Sequence, residues 1–251
     1  MILLAVYVAA SASRLAENAE DKLLPSLATM ASTLERLATE ENRRTGEVLL
    51  WVDTAASLKR LLTGVVISMG IGLVLGVMTG IIPYVQRTLS PLIKVLSMIP
   101  PLAVLPILFI ALGVDELSKI VLIVFGIAPS IARDVQQRVE ELPTELLIKA
   151  QTLGASTWQL ILRIVLPQTV PRLLDATRLA LGSAWLFLIA AEAIAATEGL
   201  GYRIFLVRRF LDMDVILPYV AWITLLAFAL DFMLRLTNRI AFPWYGAGAT
   251  R

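Results

Sequence analysis

The sequence predicts an all-α protein that crosses a membrane several times, and three observations predict it. Hydrophobic residues make up 58% of the 251 positions, with a mean hydropathy of +0.79, whereas ordinary soluble domains are about 45–50% apolar. The excess is gathered into uncharged blocks such as 61–85, and about 20 apolar residues suffice to span hydrocarbon as a helix. Lipid leaves the backbone only a helix or a closed barrel, and these blocks are too long and too continuous for barrel strands.

Net charge is only +2, and the basic residues are scattered. A nucleic-acid binder gathers them on one face, so nucleic acid is not an expected partner. There is no Cys and no His, which removes disulfides, thiol nucleophiles, zinc sites and imidazole bases. The phosphate-cradling pattern G-x-x-x-x-G-K-[ST] is absent too. No catalytic residue, metal or cofactor is therefore assigned to this chain. If it moves solute against a gradient, the energy must enter from another subunit.

In chain order, residues 1–13 are too short to span and read as the end of a first helix whose beginning lies outside this sequence. A signal-peptide core is the alternative. Residues 14–60 are charged, but Leu23, Leu27, Met30, Leu34 and Leu37 recur at helical spacing. They predict an amphipathic helix on the membrane surface or packed on the spans. Residues 61–240 form the core, with spans at 61–85, 95–114, 120–132, 179–197 and 215–234, about six helices with the partial first one. The 120–132 span is short, and Lys119 and Arg133 are expected to snorkel to opposite interfaces. Residues 241–251 are a tail in which Trp244 and Tyr245 suit an interfacial belt. With 134–172 inside, the 22 Lys and Arg divide evenly between the two sides, so charge alone does not orient the chain.

Two packing signals stand in the spans. Gly64, Ser68, Gly72, Gly76 and Gly80 fall every fourth residue, a face that lets helices approach closely. It serves a dimer or gate contact or, preferably, packing within one subunit. Pro100, Pro101 and Pro106 break the next span. The break either lines a pathway, where freed carbonyls find partners, or is a plain kink.

The stretch 134–172 has the local logic of two short helices and a turn. Pro143 suits a first helical turn, and Gly154 suits a left-handed C′ position. Ser156 with Gln159 forms a capping box, and Pro167 and Pro171 are expected to end the second helix. Leu146, Leu147, Ala150 and Leu153 share one face, and Trp158, Ile161 and Val165 continue an apolar stripe. A water-exposed loop built this way either docks on something or folds back on its own spans.

The run K-A-Q-T-L-G-A-S-T-W-Q-L-I-L-R-I-V-L-P resembles the EAA loop of ABC importer permeases, with Ala150, Gly154, Ile164, Leu166 and Pro167 matching. The acidic first position is Ile148 and the next is Lys149, so the chain departs from the pattern there. R-L-A-L-G-S-A-W-L-F-L-I-A-A-E-A-I-A-A-T-E-G-L-G-Y and S-L-K-R-L-L-T-G are similar to the taurine, sulfonate, nitrate and bicarbonate permease branch. The likeness covers residues 24–244. It implies a type I ABC importer fold in a bacterial inner membrane. It also implies a second permease copy, two ATP-binding subunits carrying ATP and Mg, a periplasmic solute-binding protein, and a cytoplasmic loop and C-terminus. Coupling to the ATPase would fall on Ala150, Leu153, Gly154, Ser156, Trp158 and Pro167. The pathway or gate would involve Pro100, Pro101, Trp185 and Glu192. A secondary transporter or channel not coupled to ATP is the alternative, but it would need coupling carboxylates or inverted repeats.

Glu192 and Asp231 lie inside spans, where a carboxylate costs about 2.5–3.5 kcal/mol and is rarely idle. Glu192 has a structural or gating role, touches solute, or pairs with Arg178 or an outer arginine. Asp231 reads as an i, i+4 partner of Arg235.

Overall fold

A computed structural model describes residues 2–18, 22–42 and 46–246. Residue 1 of the expected first helix and residues 247–251 of the expected tail lie outside the described residues. The elements are α1 (Ile2–Glu17), α2 (Leu27–Thr39), α3 (Leu49–Ile81), α4 (Pro83–Leu96), α5 (Pro101–Leu112), α6 (Glu116–Glu140), α7 (Thr144–Thr152) and α8 (Thr157–Leu160). A π turn (Ile161–Val165) leads into α9 (Leu166–Ala195), followed by α10 (Leu200–Val207), α11 (Met213–Ala241) and α12 (Pro243–Gly246). Among the described residues, three helical runs are long and apolar enough to cross a membrane: α3, Thr157–Ala195, and α11. The pair α4 and α5 adds a fourth if it is one bent span. The count of about six draws also on α1, of 16 residues, and on α6, whose second half carries charge.

Several local expectations are corrected. The helix expected from residue 61 already begins at Leu49, so Asp53, Ser57 and Arg60 ride on it. The 95–114 span is two helices meeting at 93°. Ile99 and Pro100 each precede a proline, which disfavours helical backbone at both, and Pro100 is extended at ψ 117°. At 12 residues, α5 rises about 18 Å, short of the ~30 Å of hydrocarbon. Finally, Pro167 and Pro171 do not end a helix. The helical run continues from Thr157 to Ala195 through both. The π turn accommodates the first, where Leu166 N–H donates to Ile161 O, five residues back.

The chain folds as two compact units. One comprises residues 1–59 and 189–226. Tyr7 Oη donates to Pro25 O at 2.7 Å and Ser11 Oγ to Leu24 O at 2.9 Å, fixing α1 to the segment before α2. Ser26 caps α2, its Oγ accepting from Thr29 N–H at 3.0 Å. Leu27, Met30 and Leu34 line an apolar groove with Tyr7, Leu217 and Pro218, so the amphipathic face has partners on α1 and α11. Trp51 meets Trp222 edge to face at 5.8 Å.

The other unit comprises residues 60–188 and 227–251. Its core includes Leu61, Leu122, Ile123, Ile127, Ile131, Val135 and Leu188, all essentially inaccessible. The small-residue face of α3 is consumed within the protomer. A Cβ on Gly64, Gly72, Gly76 or Gly80 would lie within 3 Å of Ile123, Ile131, Val135 or Val139 of α6. Lys119 does not snorkel: it is buried, with Nζ 3.3 Å from Val114 O and 3.4 Å from Glu116. Arg60, also buried, donates from Nε and Nη2 to Glu116 at 2.6 and 2.8 Å.

Candidate functional site

The loop between α6 and α9 is closed by local caps and carries an uncovered apolar tip. Pro143 precedes the first turn of α7, and Gly154 terminates the helix at φ +86°. Ala155 N–H donates to Ala150 O at 3.0 Å and Gly154 N–H to Gln151 O at 2.9 Å, the paired bonds of a Schellman motif. Two residues later, Ser156 and Gln159 form a reciprocal capping box, with Ser156 N–H donating to Gln159 Oε1 at 2.9 Å. Carbonyls ending α7 and amides starting α8 are thus satisfied locally, which holds the turn without help from the spans.

On either side of the turn in sequence, Leu142, Leu160 and Val165 are buried. No residue of α7 is buried. Leu153 is 86% exposed and Trp158 65% exposed, with Leu146 and Ile148 also exposed nearby. Glu145, Lys149 and Arg163 put this segment in water, where an apolar cluster marks a contact surface. Of the residues read as coupling positions, Ala150 is half-buried on α7, Leu153 and Gly154 form the turn, and Ser156 caps α8. Trp158 stands out from α8, while Pro167 lies at the start of α9, away from the tip.

A clamp not foreseen in the sequence joins the two stems of the loop. Arg172 on α9 donates from Nε and Nη2 to both oxygens of Asp134 on α6, at 2.8 and 2.9 Å. The two residues stand 38 positions apart. A bidentate guanidinium–carboxylate pair fixes orientation as well as distance. Displacement of the loop is therefore shared by both helices.

The residues expected at the pathway are dispersed. Pro100 and Pro101 mark the 93° bend, Pro100 exposed and Pro101 half-buried. Trp185 is buried on α9, and its Nε1 has no hydrogen-bond partner among the described residues. Glu192 is fully buried, so it offers no surface to solute within the protomer. Ser57 Oγ sits 2.8 and 2.9 Å from its two oxygens, donating one proton to the carboxylate, and Gly201 N–H donates to Oε2 at 2.9 Å. The expected Arg178 partner is engaged elsewhere: Arg178 pairs with Asp231 at 2.9 Å and Asp175 at 3.2 Å. Asp231 also takes the expected Arg235 contact, at 3.2 Å.

Glu192 works beside a second buried carboxylate that the sequence reading missed. Asp53 accepts from Gly199 N–H at 2.9 Å, from Arg203 Nε at 2.7 Å and from Tyr219 Oη at 3.0 Å. Leu200 N–H donates to Ser57 Oγ at 2.8 Å. The amides of Gly199, Leu200 and Gly201, which open α10, are thus all satisfied by α3 and α9. Both glycines are required: Gly199 stands at φ +125°, and a Cβ on Gly201 would come within 2.7 Å of Ile189 O. The signal was the pair of glycines in T-E-G-L-G-Y, four and eight residues beyond Ala195 and Ala193; it announced a tight turn needing acceptors.

Residues 68–244 match the family described as the binding-protein-dependent transport system inner membrane component. The taurine transport system permease protein TauC of Escherichia coli K12 is 37% identical over 200 residues, 80% of this chain and 73% of that protein. The nitrate import permease protein NrtB of Leptolyngbya laminosa is 31% identical over 160 residues, 64% of this chain and 57% of that one. A solved structure of the MetNI methionine ABC transporter in an inward-facing conformation shares the fold. Its TM-score is 0.60 at 22% identity, over 73% of this chain and 93% of that chain.

Proposed function

The chain belongs to the binding-protein-dependent transport system inner membrane components, and from that premise we propose how it is driven and what it carries. It is the permease subunit of an ABC importer, a multi-pass, non-catalytic component of the inner membrane whose family works with ATPase and binding-protein partners. In our reading, two copies pair as a homodimer, and each presents the turn at Leu153–Trp158 to one of two cytoplasmic ATP-binding subunits. ATP and Mg reside in those subunits. Nucleotide binding draws the motors together, the turns follow, and the spans rock between outward and inward openings, a two-state element biased by a ligand elsewhere.

The observation that carries this reading is the exposure of Leu153 and Trp158 on a doubly capped turn. Intrinsic flexibility would leave such side chains unplaced; the caps hold them out instead. The Asp134–Arg172 clamp supports transmission from turn to spans. On this reading α2 and α10 face the outside, where a solute-binding protein delivers cargo. The Asp53–Glu192 clasp then keeps that end of the permease rigid. The likeness to TauC and NrtB supports a small polar solute of the taurine, sulfonate, nitrate or bicarbonate class. The test is purification of the tagged full chain from its native membrane. A stoichiometric P-loop ATPase is expected to accompany it, and a preparation that transports solute without one refutes the proposal.

A further inference from the structure

Where α11 ends, the chain builds a second polar site that the coupling reading does not use. A cavity of about 530 Å³ is lined by Asp175, Arg235, Asn238, Arg239, Phe242 and Tyr245. Three features single it out. First, it sits in the last turns of a membrane-crossing helix, with Arg235 and Arg239 one turn apart and aromatic residues following. Aromatic residues at the end of a span suit the headgroup level. Second, its charge balance is positive. Asp175 and Asp231 are matched by Arg178 and Arg235, while Arg239 forms no ion pair among the described residues.

Third, Asn238 is only 7% exposed, and its Oδ1 has no hydrogen-bond partner among the described residues. The amide orientation follows from its neighbour: Nδ2 donates to Pro171 O at 3.1 Å. A carbonyl can only accept, so the oxygen of Asn238 must be the end left over. A buried acceptor without a donor costs about 1–3 kcal/mol, and a ligand hydroxyl would relieve it.

We propose that this cleft holds the headgroup of an anionic phospholipid with a hydroxyl-bearing headgroup, of the phosphatidylglycerol type. Arg235 and Arg239 take the phosphodiester, as guanidinium groups do. A headgroup hydroxyl donates to Asn238 Oδ1, and the acyl chains leave along Phe242 into the bilayer. The charge selects against zwitterionic lipid, and the amide oxygen selects for a donor.

Native mass spectrometry of the full chain, delipidated in detergent and titrated with single lipids, tests this. Phosphatidylglycerol is expected to be retained about fivefold better than phosphatidylethanolamine, and Arg239→Gln is expected to remove about that factor. Phosphatidylmethanol keeps the phosphodiester but lacks the hydroxyls. It is expected to bind roughly two- to tenfold more weakly than phosphatidylglycerol, with the difference abolished in Asn238→Ala. Equal retention of all three lipids overturns the proposal, as does an unchanged profile in Arg239→Gln, an exposed position that leaves folding intact. Displacement of the lipid by soluble glycerol 3-phosphate at equal concentration would make the cleft a site for a free anion and would also overturn it.

Discussion

Replacing Leu153 by aspartate alters the tip of the exposed turn and little else in the protomer. Leu153 is 86% exposed, so the folded chain should change by no more than about 0.5 kcal/mol. The effect appears when the tip is covered. Burying a leucine is worth about 1.5–3 kcal/mol, and nearly all of this side chain is available to be buried. Association with the ATPase should therefore weaken roughly ten- to a hundredfold, before the added cost of desolvating a carboxylate. The assay is titration of the purified ATPase against the full chain in nanodiscs, alongside solute uptake in proteoliposomes. Leu153→Met, which keeps the volume, serves as the control and should stay near the parent. An aspartate variant that binds the ATPase and transports like the parent would refute the docking argument.

Further outcomes follow from other features. Gly154→Ala should strain the turn by about 1–2 kcal/mol. Its Cβ meets nothing within 4 Å, so the penalty is conformational and should show as faster limited proteolysis near the turn with normal membrane insertion. Glu192→Gln places an amide donor among donors and should cost about 1–3 kcal/mol. The melting temperature in detergent should fall while uptake per inserted molecule holds, and an unchanged melt would sink the clasp reading. The hydrogen bond from Arg60 holds the Glu116 carboxyl below its ordinary value, opposed in part by desolvation. A folded-state pKa below the unfolded one gives stability that is fully present above about pH 4.5 and is lost as the pH falls through the folded value. Melting should hold steady from pH 7 to 5 and decline below that, less steeply in Glu116→Gln. Identical acid declines in the two proteins would refute the pairing.

Local chemistry was legible where a few neighbouring residues decide it. Gly154 and the Ser156–Gln159 box could be assigned from adjacent letters because a left-handed C′ position and a capping box are settled within one turn. The small-residue face of α3 could be read from its spacing of four. The continuity of the helix through Pro167 could not, because the π turn that absorbs the proline depends on how the run from Ile161 packs, with Val165 buried. Asp53 and Arg203, 150 residues apart, left no local trace of their partnership. Asp53 looked like one more charge in a polar segment, since nothing nearby shows that α3 begins at Leu49 and carries it into the protein. The same holds for Asp134 and Arg172. Each was visible as a charge, and only the fold made them a pair.

The toothed contact between α3 and α6 has a mechanical corollary. Each notch in one helix receives a branched side chain of the other, and from Gly72 to Gly80 the notches repeat every four residues, about 6 Å along the axis. Any smaller slip would drive a β-carbon of Ile131 or Val135 into backbone, so there is no intermediate seat to creep into. Residues 60–81 of α3 and the length of α6 must then travel as a single strut. Strain arriving at the strut's end finds no slack within it and has to be released at a joint, of which the right-angled corner between α4 and α5 is the plainest.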